Sequence, residues 1–234
     1  MVEYVEIYLD RDEFSDRIGG AIPKGSLFII EGEDGTGKSI ICQRITYGAL
    51  SNNHKVSYIS TELSVVDFIR QMDSLGYDVK DYLLNNKLLY IPTLNMFGKL
   101  KEQENLIFEL TKEKAKKIFE SDVIIIDSLS YPLINGLNRM DSIKLIEFLN
   151  KIKNLGKVII VTYNPSEINE FFVKNIRRVS DIYFYLRFSS LEEGSMLKVI
   201  EVRRFRYPRG IYNNVIPFRV EPNIGLIIEI SSYV

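Results

Sequence analysis

The sequence lacks the residues from which disulfides and histidine-based sites are built. Among 234 residues there is one cysteine, Cys42, and one histidine, His54. A disulfide, a cysteine-rich metal site and a serine-histidine triad with a choice of partners are therefore excluded within this sequence. Cys42 falls on an apolar face of a predicted helix, so we interpret it as a packing residue. His54 follows the polar stretch "SNN" with no acidic neighbour, and we interpret it as a solvated turn residue.

An excess of charge of one sign is absent too. The chain has 30 Lys and Arg residues against 31 Asp and Glu residues, a formal charge of −1. No global field therefore draws it onto nucleic acid or anionic lipid, and DNA is not an expected partner. The N-terminal segment lacks the pattern of a signal peptide, and no apolar run reaches the length of a membrane span. We expect a cytoplasmic protein without direct membrane insertion.

The order of apolar segments predicts an α/β fold with a mostly parallel sheet. Short runs rich in β-branched residues alternate with longer amphipathic stretches. The clearest strand segments are "SLFIIE", "KVSYIS", "KLLYIP", "DVIIID" and "GKVIIVTY". After Ser180 the apolar residues recur with period two, which predicts an antiparallel C-terminal extension of successive strands. No linker rich in Pro, Gly or Ser separates the two parts, so we expect a single domain over residues 1–234.

One loop between a predicted strand and a predicted helix carries a phosphate-binding pattern. Its sequence, "GEDGTGKS", matches G-x-x-x-x-G-K-[ST] at every fixed position. Glycines let backbone N–H groups curl around a phosphate without obstruction, and the helix N-terminus adds positive potential. We expect the phosphates to contact Gly32, Asp34, Gly35, Thr36, Gly37, Lys38, Ser39 and Ile40.

Two side chains in and beyond this loop predict a magnesium site. The ammonium group of Lys38 neutralises the β- and γ-phosphate oxygens, while the Ser39 hydroxyl is expected to bind Mg²⁺. Asp127 ends the buried strand "VIIID" and is expected to hold the same ion, since α/β proteins bind ligands at the carboxyl ends of their strands. The alternative interpretation of Asp127 is a helix cap that follows a strand.

A longer stretch of the sequence resembles a known family. The segment "RIGGAIPKGSLFIIEGEDGTGKS" resembles the start of RecA-like domains of the KaiC and archaeal recombinase group, and the resemblance continues through "YISTELS", "VIIIDS" and "PFRVEPNIGLIIEI". The single-domain length together with "QRITYGAL", "FIRQMDSLGYDV" and "LLYIP" resembles the accessory ATPases of the archaellum motor. The resemblance implies a RecA-like αβα core, bound ATP and Mg²⁺, and a homo-oligomeric ring. It also implies docking to the archaellum motor ATPase and to the scaffold of the membrane platform, at its cytoplasmic face.

The resemblance also implies a catalytic residue, with a departure from the family pattern. Glu62 in "STELS" stands where the family has the carboxylate that activates the attacking water. Relatives of the KaiC pattern have two adjacent glutamates, whereas here Leu63 follows Glu62. The alternative is that Glu62 only ends a strand, because Ser64 and Asp67 form a plausible capping box for the next helix.

Two further positions are carried over from the family. Arg203 matches an arginine that reaches the nucleotide of the neighbouring subunit in KaiC-like rings, while Glu201 replaces the lysine of that pair; residues two apart on a strand share a face. The alternative for Arg203 is a surface strand charge. Asn164 follows "VTY" where relatives have a polar sensor of the γ-phosphate, although an asparagine before Pro165 also starts turns.

Two main functions are consistent with these residues. The first is a nucleotide-gated subunit of the archaellum motor, in which ATP is chiefly held and hydrolysed slowly if at all. The second is an ATP-dependent DNA recombinase or repair paralogue, for which the segment "RRFRYPR", Arg203–Arg209, interleaves arginines with aromatics that could meet phosphates and bases. A small-molecule kinase is a third alternative, but the sequence has no recognisable acceptor site or lid.

Overall fold

The computed structural model describes residues 1–93, 113–129, 138–190 and 196–229. The strands are β1 Tyr4–Glu6, β2 Ala21–Pro23, β3 Leu27–Gly32, β4 Val56–Ser60, β5 Leu88–Pro92, β6 Val123–Asp127, β7 Val158–Tyr163, β8 Ile182–Ser190, β9 Met196–Phe205, β10 Val215–Glu221 and β11 Gly225–Ile228. The α-helices are α1 Phe14–Arg17, α2 Lys38–Ser51, α3 Val65–Ser74, α4 Lys80–Leu84, α5 Arg139–Asn154 and α6 Glu170–Val179. The 3₁₀ segments are Glu113–Glu120 and Pro165–Glu167.

Nine of the strands form one sheet in the order β11-β10-β9-β8-β3-β7-β6-β4-β5. All five strands predicted from apolar runs are present, and their pairings with one another are parallel. Strand β6 is buried along its whole length, as expected for a strand covered on both faces. The carboxyl ends of β3, β4, β6 and β7 therefore meet at one edge of the sheet.

The C-terminal extension joins this sheet through β8. The predicted antiparallel pairing is confirmed for β8 with β9, β9 with β10 and β10 with β11. On its other side, however, β8 pairs with β3 in parallel. The expectation that β8 is wholly part of the antiparallel region was therefore incomplete. Buried and half-buried side chains alternate along the first six residues of β8, which explains the period of two in its sequence. Such alternation occurs in parallel and antiparallel strands alike, so it does not indicate the direction of the neighbouring strand.

Apolar side chains cover both faces of the sheet. On β3, Phe28 and Ile30 belong to one buried cluster and Leu27 and Ile29 to the other. Helices α2 and α3 pack in the first cluster, and α5 and α6 pack in the second. Each fully buried side chain of this size contributes roughly 1.5–3 kcal/mol, which explains why the helices dock on the sheet. Cys42 is buried in the first cluster, as predicted, and burial raises the pKa of its thiol well above its ordinary value.

The interpretation of His54 as a solvated turn residue was wrong. Its side chain is only 18% exposed. The imidazole Nε2 accepts a hydrogen bond from the Glu6 backbone N–H at 3.1 Å, and Nδ1 lies 3.6 Å from Asp122 Oδ2. Both partners are remote from His54 along the chain, so no local pattern pointed to them. His54 links β1 to the start of β6.

No helix within the described ranges is long and apolar enough to cross a membrane.

Candidate nucleotide-binding site

The glycine-rich loop connects β3 to α2 and has a shape that only glycine allows at several positions. Gly35 and Gly37 have φ angles of 76° and 103°, in the region that other residues rarely adopt. A Cβ atom at Gly37 would lie 2.9 Å from Cζ of Phe218, and one at Gly32 would lie 2.7 Å from the carbonyl oxygen of Leu186. The loop is therefore packed against β8 and β10. Space requires glycine at Gly32, backbone angle requires it at Gly35, and both require it at Gly37.

The Lys38 side chain is held against the loop. Its Nζ donates hydrogen bonds to the carbonyl oxygens of Gly32 and Glu33, at 2.8 and 2.9 Å, and lies 3.7 Å from Asp34 Oδ1. Thr36 Oγ1 donates to the same Glu33 carbonyl at 2.6 Å. Lys38 is only 9% exposed. These bonds hold the ammonium group where the pattern expects a phosphate to bind.

Asp127 is placed by three hydroxyl groups. Its Oδ1 accepts from Ser39 Oγ at 3.2 Å and from Thr162 Oγ1 at 2.6 Å, and its Oδ2 accepts from Tyr58 OH at 2.6 Å. The carboxylate is 6% exposed, at the carboxyl end of β6. A hydroxyl and a carboxylate oxygen side by side are the ligands Mg²⁺ prefers, so Ser39 and Asp127 fit this ion. These contacts favour the metal role of Asp127 over the helix cap.

Tyr58 and Thr162 were not predicted as site residues. Burial, and after it the nearby Asp127 carboxylate, raises the pKa of Tyr58 well above its ordinary value. Its hydroxyl therefore keeps its proton and donates to Asp127 at neutral pH. Both residues stand in strands that are buried along their whole length, "VSYIS" and "VIIVTY". A polar side chain inside a buried strand was the signal that could have identified them, because buried hydroxyl groups need partners.

Most of the predicted residues line a cleft of about 500 Å³ at the carboxyl edge of the sheet. Its lining residues are Asp34, Gly35, Gly37, Lys38, Ser39, Ile40, Glu62, Asp127, Ser128, Glu167 and Lys198. Gly32 and Thr36 shape the loop from behind instead. Ser128, Glu167 and Lys198 were missed by the sequence analysis.

Glu62 follows β4 by two residues and lines the cleft next to the end of that strand. Partial burial is the main cause that raises the pKa of its carboxyl group, the Asp127 charge raises it further, and Lys38 opposes both. The capping box proposed as the alternative is also present: Ser64 Oγ accepts from the Asp67 N–H at 3.2 Å and donates to the Asp67 carboxylate at 2.6 Å. That box does not involve Glu62, whose side chain is exposed to the cleft.

Asn164 forms the turn that was considered as its alternative role. Its Oδ1 accepts from the backbone N–H and the hydroxyl of Ser166, at 3.2 and 2.8 Å. Its Nδ2 donates to Asp34 Oδ1 at 3.2 Å, so Asn164 contacts the phosphate loop through Asp34. Asn164 is 6% exposed and is not among the lining residues. The sensor role stays a prediction, and the turn is confirmed.

Arg203 lies outside the cleft of its own chain. It forms an ion pair with Glu201, which confirms that the two side chains share a face of β9. Its guanidinium carbon lies 5.4 Å from the centre of the Tyr185 ring, and its side chain is 53% exposed. Arg187 also donates to the Glu201 carboxylate. A role toward the nucleotide of a neighbouring subunit stays a prediction.

A buried carboxylate supports the loop from below and was not predicted. Glu31 is 1% exposed and directly precedes Gly32. The hydroxyl groups of Tyr163 and Tyr183 each donate to its Oε2 at 2.9 Å, and Arg177 Nε donates to the same oxygen at 2.7 Å. A buried charge is tolerated when it is paired and hydrogen-bonded in this way. The cluster ties α6, which carries Arg177, to the base of the loop.

The arginines of the segment Arg203–Arg209 are bound within the protein. Arg204 Nη1 donates to the carbonyl oxygens of Arg177 and Ser180, at 2.6 and 2.9 Å, at the C-terminal end of α6. Arg206 pairs with Asp181 at 3.2 Å, and Arg209 pairs with Glu6. These contacts occupy groups that a phosphate backbone would need.

Comparisons with known proteins agree with this geometry. The family model described as "ATPase: KaiC" matches residues 11–232. An archaeal flagellar ATP-binding protein, FlaH, from Methanocaldococcus jannaschii is 38% identical over 232 residues, which cover 99% of this chain and 98% of that protein. FlaH from Methanococcus voltae is 34% identical over 231 residues, 99% of each chain. The crystal structure of the flagellar accessory protein FlaH from Methanocaldococcus jannaschii matches with a TM-score of 0.88 at 39% identity, over 98% of this chain and 100% of that one.

Proposed function

Because this chain belongs to the KaiC ATPase family, with FlaH proteins as full-length relatives, we propose that it is an ATP-binding accessory protein of the archaellum, the archaeal flagellum. Its fold is the RecA-like α/β fold of that family. The observation that carries the proposal is the Ser39–Asp127 pair, 3.2 Å apart, in the cleft that Lys38 also lines. A triphosphate with Mg²⁺ is the ligand that such a pair and such a lysine suit together.

Binding of the phosphates and of Mg²⁺ is the part of the activity for which this chain supplies suitable residues. The loop N–H groups and Lys38 bind phosphate oxygens, and Ser39 and Asp127 would hold Mg²⁺, which when bound neutralises phosphate charge. Thr162 and Tyr58 fix the Asp127 carboxylate by hydrogen bonds of 2.6 Å each. These groups are oriented before any ligand arrives, which lowers the free-energy cost of binding.

The residues needed for ATP hydrolysis are less complete than those for binding, so we infer that ATP is hydrolysed slowly or not at all. Glu62 is a candidate to orient the attacking water, but it lacks the second acid of the family pattern. Arg203 is paired with Glu201 and lies away from the cleft of its own chain. The loss of one charge that stabilises the transition state costs orders of magnitude in rate.

ATP in this site would act mainly as a switch for assembly. A ligand present at a hundred times its Kd stabilises the bound form by about 2.7 kcal/mol if the alternative form binds none. That free energy is enough to gate a partner equilibrium. The proposed partners are the archaellum motor ATPase and the scaffold of the membrane platform at its cytoplasmic face, together with further copies of this chain in a ring.

The test separates holding from hydrolysis with two variants. Lys38→Ala should abolish ATP binding and ATP-dependent capture of the archaellum motor ATPase. Glu62→Gln should keep both and lose only the slow release of phosphate. Calorimetry, pull-down with and without ATP, and phosphate release would be measured on the same preparations. A wild-type turnover of many per second, or loss of partner capture by Glu62→Gln with ATP still bound, would contradict the proposal.

The recombinase alternative gains no support from the arginine segment, because its arginines contact groups within the protein. Because the formal charge of the chain is only −1 and the arginines of this segment already have partners, DNA affinity should be weak with a shallow salt slope. Fluorescence anisotropy with labelled single- and double-stranded DNA across a salt series measures both. Submicromolar binding with a steep slope would favour the recombinase.

A further inference from the structure

The cleft contains a second lysine that neither the loop pattern nor the resemblance assigns. Lys198 lies on β9, directly opposite Phe188 of β8 and Phe218 of β10 in the sheet register. Residues at one register level of neighbouring strands point to the same face. The three side chains therefore form one row across three strands, with the lysine between two aromatic rings.

This row lies against the phosphate loop. A Cβ atom at Gly35 would be 3.7 Å from Cζ of Phe188, and one at Gly37 would be 2.9 Å from Cζ of Phe218 and 3.7 Å from Cδ of Lys198. The aliphatic part of Lys198 thus reaches the backbone of the loop beside Gly37. Lys198 is also among the residues that line the cleft.

The surroundings of Lys198 leave its charge uncompensated by the described part of the protein. Within the ranges that the structure describes, no carboxylate lies within ion-pairing distance of its ammonium group. Partial burial lowers the pKa of Lys198, because burial disfavours the charged form. Glu201, on the same strand, differs from Lys198 because its charge is paired with Arg187 and Arg203. A partly desolvated cation costs free energy that a bound anion would offset.

The position of Lys198 in the sheet indicates which part of a nucleotide it would meet. Strand β9 lies two places from β3 on one side, whereas β4, which precedes Glu62, lies three places away on the other. A γ-phosphate open to water activation must face Glu62, so Lys198 approaches from the opposite side, next to Gly37. We propose that Lys198 is a second phosphate-binding lysine, supplied by the same chain, that sets the affinity for ATP and ADP alike. This inference rests on the proposed nucleotide-binding function.

The experiment compares three variants of the full chain. Lys198→Met keeps an unbranched chain without charge, Lys198→Arg restores the charge, and Lys151→Met removes an exposed lysine of α5 as the matched control. By calorimetry, Lys198→Met should weaken both ATP and ADP roughly tenfold, as expected for loss of one charge-assisted contact. Lys198→Arg should recover most of that loss, and Lys151→Met should bind like the wild type.

A measurement without nucleotide distinguishes a binding role from a packing role. In thermal unfolding of the apo protein, Lys198→Met should be as stable as the wild type or more stable, because a desolvated charge is removed. The rise in Tm on adding ATP should be smaller in this variant. A clear loss of apo stability, with an unchanged rise on adding ATP, would assign Lys198 to packing and overturn the inference.

The inference and the proposed function fail in different ways. Unchanged nucleotide affinity in Lys198→Met, while Lys38→Ala abolishes binding, would overturn the role of Lys198 and leave the nucleotide site intact. A loss confined to ATP would place the lysine at the γ-phosphate and overturn the inference as stated. Absence of ATP binding by the wild type would overturn the proposed function itself.

Discussion

The two sides of the cleft are built on different principles. On the side of the parallel strands, Lys38 donates hydrogen bonds to two loop carbonyls and Asp127 accepts them from three hydroxyls, so both charged groups are fixed. On the side of the antiparallel extension, Lys198 lies between two phenylalanines at the cleft, and Arg203, outside the cleft, is bound to Glu201. The parallel strands thus hold the groups of the proposed phosphate and magnesium site in fixed positions. The extension carries two cations, Lys198 and Arg203, whose proposed roles require a bound nucleotide or a neighbouring subunit.

The largest effect should come from the loop that separates the two sides. Gly37→Ala adds a Cβ atom 2.9 Å from the Phe218 ring, at a φ of 103°. The loop cannot keep its shape, and we expect ATP affinity to fall by about a hundredfold or more, since several N–H contacts are displaced together. Calorimetry measures this loss.

Gly156→Ala is the matched control for Gly37→Ala. Gly156 also has a positive φ, 80°, but a Cβ atom there would have open space around it. It should lower the free energy of unfolding by about 1 kcal/mol through backbone strain alone and leave ATP binding unchanged. Equal loss of ATP affinity in both variants would mean that the loss does not come from contact between the loop and Phe218, and would contradict the prediction.

The second prediction concerns the support beneath the loop. Glu31→Gln removes a buried charge that accepts bonds from Tyr163, Tyr183 and Arg177. Breaking such a pair should lower the free energy of unfolding by about 2 kcal/mol, less than for a fully buried pair because Arg177 is 40% exposed. Urea unfolding measures the change. Glu13→Gln, which breaks the exposed pair with Arg17, should change stability by less than about 0.5 kcal/mol, and an equal cost for the two would refute the argument.

Most of the parallel side was predictable from the sequence, because its signals are local. Apolar runs gave five strands, and the loop pattern gave Lys38 and Ser39. The support of Asp127 by Tyr58 and Thr162 was not predicted, since hydrogen bonds between strands depend on sheet order and register. Lys198 was missed for the same reason: its neighbours in the row are remote in sequence.

The third prediction uses the pH dependence of Glu62. Its pKa is raised above the ordinary value of 4.5. The folded state therefore binds this proton more tightly than the unfolded state, and the resulting stabilisation is present at low pH and lost as the pH rises from about 4.5 through the folded pKa. Glu62→Gln cannot titrate. Relative to the wild type, it should be more stable at pH 7 than at pH 4, as measured by urea unfolding at both pH values, and a difference that does not change with pH would argue against the raised pKa.

The smallest effect on the ATP affinity of a single chain should come from Arg203. The direction in which ATP-dependent association changes separates the two interpretations of Arg203, a residue that reaches a neighbouring subunit or a surface charge. Arg203→Ala should leave ATP affinity nearly intact, because the side chain lies outside the cleft of its own chain. If Arg203 reaches a neighbouring subunit, the same variant should weaken ATP-dependent association, measured by light scattering, together with any residual hydrolysis.

Glu201→Gln should act in the opposite direction and strengthen association, since the Glu201 carboxylate binds Arg203 and competes with any phosphate across a subunit boundary. The Arg203 side chain is 53% exposed, and glutamine keeps the size of the 17% exposed Glu201 side chain, so each variant should fold. Association that is the same in Arg203→Ala, Glu201→Gln and the wild type would return Arg203 to the role of a surface charge and leave Lys198 as the cation that the extension contributes to the site.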